Sequence, residues 1–313
     1  MLEATDLHVE FPGRGGNRAR AVDGVNLSVG AGEIVALVGE SGCGKTTLAR
    51  TLLGLERPTS GRVAYDGAPL SYTGRALRAF RRQVQLVLQD PMGSLNPRHT
   101  VYEAVAEGPR IHGLPDEESV VSSALARAGL RPPARFFQRY PHELSGGQRQ
   151  RVVIAGALAL DPKVLIADEP VASLDASVRG EILALLLRLR DDLGLSALVV
   201  THDLGLAWNI ADRVAVMYLG RIVESGPTED VLKNPQHPYT QALLSVLPES
   251  PNRIVLTGEP PDPTRIPTGC RFHPRCQLVA AGKGVDACTT QPLKVLPATP
   301  NSQVACHVAD LVG

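Results

Sequence analysis

A glycine-rich stretch with a lysine and two threonines has the residue types best suited to phosphate binding. It reads GESGCGKTT over residues 39–47, after an apolar run at 34–38 and before a helix-forming run at 48–53. Glycines let backbone N–H groups curl around phosphate oxygens, the lysine adds positive charge, and the following helix points its positive end at the anion. A chain of this length matches such a pattern by chance roughly once in a hundred. The stretch 39–47, here called the phosphate loop, therefore predicts nucleotide binding. The residues expected at the nucleotide are Gly39, Glu40, Ser41, Gly42, Cys43, Gly44, Lys45, Thr46 and Thr47, with Lys45 also acting in catalysis and Thr46 binding Mg²⁺.

Two adjacent carboxylates, Asp168 and Glu169, follow a buried-type strand at residues 164–167. Sheets in α/β proteins bind ligands at the carboxyl ends of their strands, so both side chains are candidates for phosphoryl-transfer chemistry. We expect Asp168 to associate with Mg²⁺ and Glu169 to act as the base, or the positioner, of an attacking water. The alternative is a simple surface turn, which the apolar run before the pair disfavours.

A second glycine turn, LSGGQ at residues 144–148, comes directly before a helix-forming segment. A hydroxyl and two glycines at a helix N-terminus form an anion site, so Ser145, Gly146, Gly147 and Gln148 are candidates for a second phosphate contact. An ordinary N-cap by Ser145 is the alternative interpretation.

Three further side chains, Gln89, His202 and Phe11, stand at the ends of predicted strands. Phe11 is placed to stack on a nucleotide base, and its alternative interpretation is a core residue of an edge strand. His202 can reach the γ-phosphate or hold the water together with Glu169, whereas a lone histidine is more often structural. Gln89 taken alone would be an ordinary solvated residue.

The order of the predicted elements indicates an α/β fold with a mostly parallel sheet covered on both faces, because strands alternate with helices along most of the chain. Alternating segments at 7–11 and 21–29 predict an N-terminal antiparallel β subdomain. A long helix with one apolar stripe is predicted at 178–193, and a final strand pair at 213–225. Helical patterns between two strands of the main sheet predict a helical insertion, and they cover 101–112, 116–128 and 132–139.

Composition excludes several classes of protein. The 313 residues carry 32 basic and 32 acidic side chains, so the formal net charge is zero and gives no electrostatic argument for nucleic-acid binding. No apolar run approaches the roughly 18–20 residues that span a bilayer, and the acidic segment 1–6 lacks the features of a secretory signal. We therefore expect a cytoplasmic chain without nucleic-acid partners.

The five cysteines are unevenly distributed. Cys43 lies inside the phosphate loop, where a small residue is required, and is interpreted as a packing residue. The other four cysteines all lie in the C-terminal part of the chain. In a reducing cytoplasm, such a cluster favours metal or iron–sulfur binding over disulfides. The four cysteines of this C-terminal cluster are Cys270, Cys276, Cys288 and Cys306.

In this order, the motifs resemble those of the ATP-binding subunits of ABC transporters, most of all the oligopeptide/dipeptide importer group, in which nickel importers also fall. The loop QDPMGSLNPR at 89–98 is similar to that group in particular, and SLD at 173–175 to the loop that joins the two ATP sites of a dimer. The resemblance implies a P-loop NTPase (RecA-like) ATPase domain over 1–240, with its helical subdomain at about 92–160, and a C-terminal extension over 241–313. It also implies that Gln89 gives an oxygen to Mg²⁺ and senses the membrane subunits.

The function implied by the resemblance is ATP hydrolysis that powers an importer of di- or oligopeptides, with ATP and Mg²⁺ as ligands. Two ATPase subunits, commonly different chains in this group, close head to tail around ATP. The resemblance implies that the turn at 144–148 of one subunit holds the γ-phosphate of an ATP bound by the other. The cycle drives two transmembrane permease subunits, which receive the solute from an extracytoplasmic solute-binding protein. The chain is therefore expected to be a peripheral subunit at the cytoplasmic face of the cell membrane. Nickel or another small solute is the alternative, because this subunit does not touch the solute.

Two segments of the tail, 235–240 and 269–276, resemble the C-terminal extension of the same group. Some members carry a 4Fe-4S cluster on four cysteines there, which implies Cys270, Cys276, Cys288 and Cys306 as ligands. Four thiolates also suit structural Zn²⁺, and free thiols are a third interpretation.

Three rival classes match less well. A soluble ABC ATPase of DNA repair or translation usually has two ATPase modules or a long coiled-coil insertion, and neither is present in the sequence. An exporter ATPase is disfavoured by the resemblance of the tail and of the loop after Gln89. A small-molecule kinase with a phosphate loop would not need the turn at 144–148.

Overall fold

The computed structural model describes residues 1–13, 16–172, 174–247, 253–293, 296–299 and 301–309, the segment 296–299 by its backbone only. The described strands are β1 (Leu2–Pro12), β2 (Arg18–Val29), β3 (Ile34–Val38), β4 (Ser60–Tyr65), β5 (Ala68–Pro69), β6 (Val84–Val87), β7 (Val164–Asp168), β8 (Ser196–Thr201), β9 (Arg213–Tyr218), β10 (Arg221–Pro227), β11 (Leu296–Thr299) and β12 (Ser302–Val304). The described helices are α1 (Lys45–Leu52), α2 (Gly74–Gln83), α3 (Pro91–Ser94), α4 (Val101–His112), α5 (Glu117–Arg127), α6 (Gly146–Leu158), α7 (Ala176–Leu193), α8 (Leu204–Ile210), α9 (Thr228–Lys233), α10 (Pro238–Leu244), α11 (Gln277–Ala280) and α12 (Ala287–Thr290).

The chain divides into two compact units. One, here called the helical unit, comprises residue 1 with 29–34 and 70–200, and the other, the loop unit, comprises 2–28, 35–69 and 201–313. The boundary expected at 240/241 between an ATPase domain and an extension stays a prediction. No helix among the described residues combines the length and apolarity that a membrane crossing requires.

The helical unit contains three parallel strands, with β7 between β6 and β8. Because β7 and β8 are parallel and Asp168 pairs in register with Val200, the carboxyl ends of these two strands lie at the same edge of the sheet. The helix α7 buries the stripe predicted from sequence, formed by Ile182, Leu185, Leu186 and Leu189. It begins at the N-cap Asp175 and ends at Gly194 with a φ of 64°, a left-handed conformation that glycine adopts without a Cβ clash.

The helical insertion is present, but its last predicted helix is wrong. Residues 132–139 form only a 3₁₀ turn, Pro133–Arg135. The carbonyls of Phe137 and Arg139 accept hydrogen bonds from the first N–H groups of α4, those of Tyr102 and Val101. These carbonyls therefore complete the N-terminus of another helix instead of bonding within their own segment.

The loop unit contains an antiparallel sheet of order β2-β1-β4-β5, which confirms the expected N-terminal β subdomain. The alternation in β1 buries Leu2, Ala4, Leu7 and Val9, yet β1 is an interior strand and the edge position expected for it is wrong. The unit also holds β3 parallel to β9. The antiparallel pairs β9–β10, β10–β12 and β12–β11 extend the sheet from β9. The pair β9–β10 confirms the strand pair predicted at 213–225.

Candidate nucleotide-binding and catalytic site

The phosphate loop joins β3 to α1 in the loop unit, in the strand–turn–helix context that its sequence predicted. Gly39 and Gly44 have φ values of 156° and 110°. A Cβ at Gly39 would lie 2.2 Å from the carbonyl oxygen of Met217, and one at Gly44 would lie 2.0 Å from that of Ala21. Only glycine fits at these two positions, since neighbouring backbone fills the space of a side chain.

The ammonium of Lys45 is held inside the loop. Its Nζ donates to the carbonyl oxygens of Gly39 at 2.7 Å and Glu40 at 2.9 Å, and the Sγ of Cys43 lies 4.0 Å away. Burial raises the pKa of the Cys43 thiol, so the thiol stays neutral, as expected of a packing residue. Thr46 is exposed at the first turn of α1, where its hydroxyl is accessible to a metal ion.

Two residues far along the chain contact the phosphate loop through Glu40. The guanidinium of Arg275 donates to both carboxylate oxygens of Glu40, at 2.7 and 3.1 Å. The backbone N–H of Glu40 donates to the hydroxyl of Tyr239 at 2.8 Å. Sequence reasoning missed both partners. Their segments stood out only through a resemblance, and neither segment shows which residue of the loop it would contact.

In the helical unit, Asp168 is the last residue of β7 and Glu169 follows it. The backbone N–H of Glu169 donates to the carbonyl of Val200 at 2.9 Å. Glu169 has a φ of 49°, in the left-handed region that is unfavourable for a residue with a side chain. Such strain costs about 1–3 kcal/mol and is typical of functional sites. The strand pairing thus fixes the peptide that carries the expected catalytic carboxylate.

The second glycine turn begins α6. The hydroxyl of Ser145 accepts from the N–H of Gln148 at 3.2 Å, and the side-chain oxygen of Gln148 accepts from the N–H of Ser145 at 3.1 Å. This reciprocal cap fixes the turn locally. Ser145 is exposed, and its hydroxyl proton can still be donated to an anion. The N-cap and the anion-site interpretations are therefore compatible.

The remaining predicted side chains lie in both units. Gln89 and Ser145 are exposed in the helical unit, whereas Phe11, Thr46 and His202 are exposed in the loop unit. The turn after His202 is held by Asp203, which caps α8 by accepting from the N–H of Leu206 at 3.1 Å. Ser173, from the predicted dimer loop, lies outside the described residues.

The four C-terminal cysteines line one small cavity of about 10 Å³ in the loop unit, although they are spread over 37 positions of the sequence. All four are buried. Burial raises the pKa of Cys270 to about 11 and that of Cys306 to about 12, so a metal would have to displace their protons. Within the described part of the chain, no group of three or more His, Cys, Asp or Glu side chains is arranged to hold a single metal ion.

Comparisons with known proteins match nearly the whole chain. Residues 22–172 match the family model described as ABC transporter. Residues 223–282 match that of the oligopeptide/dipeptide transporter C-terminal region. The chain is 43% identical to the dipeptide transport ATP-binding protein DppF of Haemophilus influenzae, over 99% of this chain and 97% of that protein. It is 41% identical to the oligopeptide transport ATP-binding protein AppF of Bacillus subtilis, over 98% and 97%.

Solved structures agree with the sequence comparisons. The chain resembles cbiO1 of Clostridium perfringens, part of the ABC transporter complex cbiONQ, with a TM-score of 0.67 and 34% identity, covering 74% of this chain and 90% of cbiO1. It also resembles the ATP-binding cassette MJ0796, in a dimeric post-hydrolysis state bound to ADP and Pi, with a TM-score of 0.64 and 29% identity, over 73% and 99%. The chain is therefore an ATP-hydrolysing transporter subunit and belongs to the ABC transporter family, in the group of dipeptide and oligopeptide transport ATP-binding proteins.

Proposed function

We propose that the chain powers the import of dipeptides or short oligopeptides. The carrying observation is likeness along the full length: the relatives named for dipeptide and oligopeptide transport match 98–99% of this chain, including the tail. A match to the ATPase domain alone would support only ATP hydrolysis. The tail match over 223–282 favours the peptide group in particular.

The proposed mechanism uses the predicted residues in two groups. Lys45 and Thr46 bind the terminal phosphates and Mg²⁺, together with Asp168 and Gln89. Glu169, aided by His202, orients the water that attacks the γ-phosphorus. Phe11 stacks on the base. Two observations support these roles. The ammonium of Lys45 is buried inside the glycine loop, and Glu169, directly after β7, has a strained backbone conformation.

The turn that begins at Ser145 serves a second subunit in this proposal. The relative MJ0796 is dimeric in its post-hydrolysis state with ADP and Pi, which supports a pair of ATPase subunits as the working form. For this chain we expect a different ATPase subunit as the partner, two permease subunits and an extracytoplasmic solute-binding protein. The place of work is then the cytoplasmic face of the cell membrane. ATP closes the pair, and hydrolysis reopens it.

Uptake measurements test the peptide assignment. Vesicles that contain the assembled transporter and its binding protein are given a radiolabelled dipeptide, with Lys45→Ala as the inactive control. We expect ATP-dependent dipeptide uptake that the control lacks. Uptake of ⁶³Ni²⁺ without dipeptide uptake would overturn the peptide assignment in favour of the nickel alternative.

We also propose that Cys270, Cys276, Cys288 and Cys306 bind a 4Fe-4S cluster. A cluster attaches each thiolate to a different iron, so its ligands stand farther apart than the ligands of one Zn²⁺ ion. The support for this proposal is that all four thiols line one cavity of the tail. When bound, the cluster would cross-link separate segments of the tail.

Metal analysis tests the cluster. Anaerobically purified protein should contain about four iron and four sulfide per chain with visible sulfur-to-iron absorbance, and Cys288→Ser should lose most of both. Cys43→Ser serves as the control, because this cysteine lies in the phosphate loop. One zinc per chain, or no metal at all, would contradict the proposal.

A further inference from the structure

The C-terminal tail contacts the phosphate loop at two points, both on Glu40. Arg275 forms the bidentate ion pair with its carboxylate, and the Tyr239 hydroxyl accepts from its backbone N–H. We infer that Arg275 and Tyr239 are positioning residues, which fix the first peptide of the phosphate loop and thereby set the affinity for ATP. The inference rests on the nucleotide-binding role proposed for that loop, and it depends neither on the transported solute nor on a metal at the cysteines.

The charge of Glu40 makes the ion pair important for an anionic ligand. Glu40 directly follows Gly39 in a loop whose proposed ligand carries several negative charges. An uncompensated carboxylate there would repel the phosphates. The Arg275 side chain is 6% exposed and that of Glu40 27%, so solvent screens the pair only in part. Arg275 therefore cancels a charge that would otherwise oppose nucleotide binding.

The hydrogen bonds of the Glu40 backbone give the second argument. Its N–H is held by Tyr239, and its carbonyl accepts from Lys45 at 2.9 Å. A phosphate oxygen that binds Lys45 competes with this carbonyl for the ammonium. Once the lysine turns to the phosphate, Tyr239 and Arg275 continue to hold the residue. The loop then keeps its shape without having to reorder around the nucleotide, which lowers the entropic cost of binding.

Tyr239 is itself rigidly placed. It is fully buried, and its ring lies 4.7 Å from that of Tyr218 and 5.4 Å from that of Phe272, centroid to centroid. Its backbone N–H donates to Nδ1 of His237 at 3.0 Å. Burial lowers the pKa of His237 to about 3, so the ring stays neutral and keeps this acceptor. The hydroxyl of Tyr239 is thus aimed at the loop by packed neighbours.

Arg275 is placed by the same packing. It ends a short 3₁₀ turn, His273–Arg275, and its N–H donates to the carbonyl of Phe272 at 2.9 Å. Its guanidinium carbon lies 6.0 Å from the centroid of the Tyr218 ring. Cys276 follows it directly and Cys270 opens the segment. The segment between two of the cavity thiols, Cys270 and Cys276, therefore also delivers the arginine to the phosphate loop.

Nucleotide titrations on the full-length chain test the inference. The affinity for Mg-ATP is measured calorimetrically for the parent and for Arg275→Met, Arg275→Lys, Tyr239→Phe and the double variant Glu40→Gln/Arg275→Met. We expect Arg275→Met to weaken binding about tenfold, which corresponds to about 1.4 kcal/mol, and Tyr239→Phe to weaken it less. Arg275→Lys should fall between, since it keeps the charge but loses the bidentate geometry. The double variant should recover most of the affinity, because the uncompensated carboxylate is gone.

Kinetics distinguish positioning from a general loss of structure. Neither residue touches the proposed site of water attack, so the KM for ATP should rise in Arg275→Met while kcat stays close to that of the parent. The control is Arg110→Met, which removes a bidentate pair of Arg110 with Glu117 in the helical unit. It should leave the affinity for ATP unchanged.

Several outcomes would overturn the inference. One is an Arg275→Met affinity within twofold of the parent or equal to that of Arg110→Met, and another is a double variant that binds no better than Arg275→Met. If Arg275→Met does not fold, parent-like affinity of Arg275→Lys overturns it equally. Lys45→Ala separates the two levels of the argument: if this variant still binds ATP like the parent, the proposed role of the loop itself fails.

Discussion

Two glycine turns that begin helices show how differently the same type of anion site can be fixed. The phosphate loop, in the loop unit, is surrounded by backbone from Ala21 and Met217 and held by Tyr239 and Arg275. The turn at Ser145, in the helical unit, is closed by a reciprocal cap between residues three positions apart. The first site depends on long-range tertiary contacts, and the second on local hydrogen bonds. Changes at the two sites should therefore have different consequences.

Glu169→Gln should have the largest effect, since it removes the expected base while leaving both glycine turns intact. We expect ATP turnover to fall by about a factor of 10²–10⁴, with ATP affinity retained and the ATP-bound dimer accumulating. Steady-state ATPase assays and size-exclusion chromatography with the partner subunit measure both effects. Turnover at the parent rate would exclude Glu169 from the catalytic step.

Gly44→Ala should nearly abolish ATP binding by the phosphate loop. The new Cβ would lie 2.0 Å from the carbonyl of Ala21 at a φ of 110°, so the loop must deform. A loss of at least about 100-fold, or about 2.7 kcal/mol, is expected in a nucleotide titration. The matched control is Gly146→Ala, whose Cβ would meet Leu174 at an ordinary 3.6 Å. Its melting temperature should stay close to that of the parent. An equal loss of ATP affinity, or an equal drop in melting temperature, in Gly44→Ala and Gly146→Ala would contradict the contrast between the two turns.

Ser145→Ala tests the local fixation of the second turn. Loss of the cap should reduce the free energy of unfolding by about 1 kcal/mol, which lowers the melting temperature by about 2–4 °C. Ser145→Gly should cost only a few tenths of a kcal/mol on the same scale. Calorimetry measures both, and a larger loss in Ser145→Gly than in Ser145→Ala would speak against capping. Turnover that depends on the partner subunit should fall in either variant, because the proposed γ-phosphate contact is gone.

A smaller effect is expected from pH at the ion pair of Asp23 with Arg271, which ties β2 to the tail. Burial by itself raises the pKa of Asp23, but the charges of Arg271 and Arg221 outweigh it and hold the pKa below its usual 3.8. The pair therefore stabilises the fold above pH 3.8, and this contribution disappears as the pH falls below that value towards the lowered pKa. The melting temperatures of the parent and of Arg271→Met should differ at pH 6 and converge on acidification. A constant difference would show that Asp23 does not carry the dependence.

Much of the fold and site could be predicted because the signals are local. The phosphate loop, the carboxylates after β7 and the Ser145 turn are each defined by residues within ten positions of one another. The apolar stripe of α7 follows from the helical period alone. The predictions were wrong where a segment distant in sequence determines the local structure. Phe137 and Arg139 give their carbonyls to α4 instead of forming a helix, and β1 lies between two strands instead of at an edge.

The sequence by itself determined the chemistry of this protein: a glycine loop with its lysine, two carboxylates at a strand end, a capped glycine turn, and four thiols in the tail. Only the tertiary structure decided that four cysteines scattered over the tail line one cavity, and that Tyr239 and Arg275 reach Glu40 across 199 and 235 positions of the chain. The physical reason is range. Backbone conformation and capping depend on residues a few positions away, whereas the partners of a carboxylate such as Glu40, or of a buried thiol, are set by how distant segments pack.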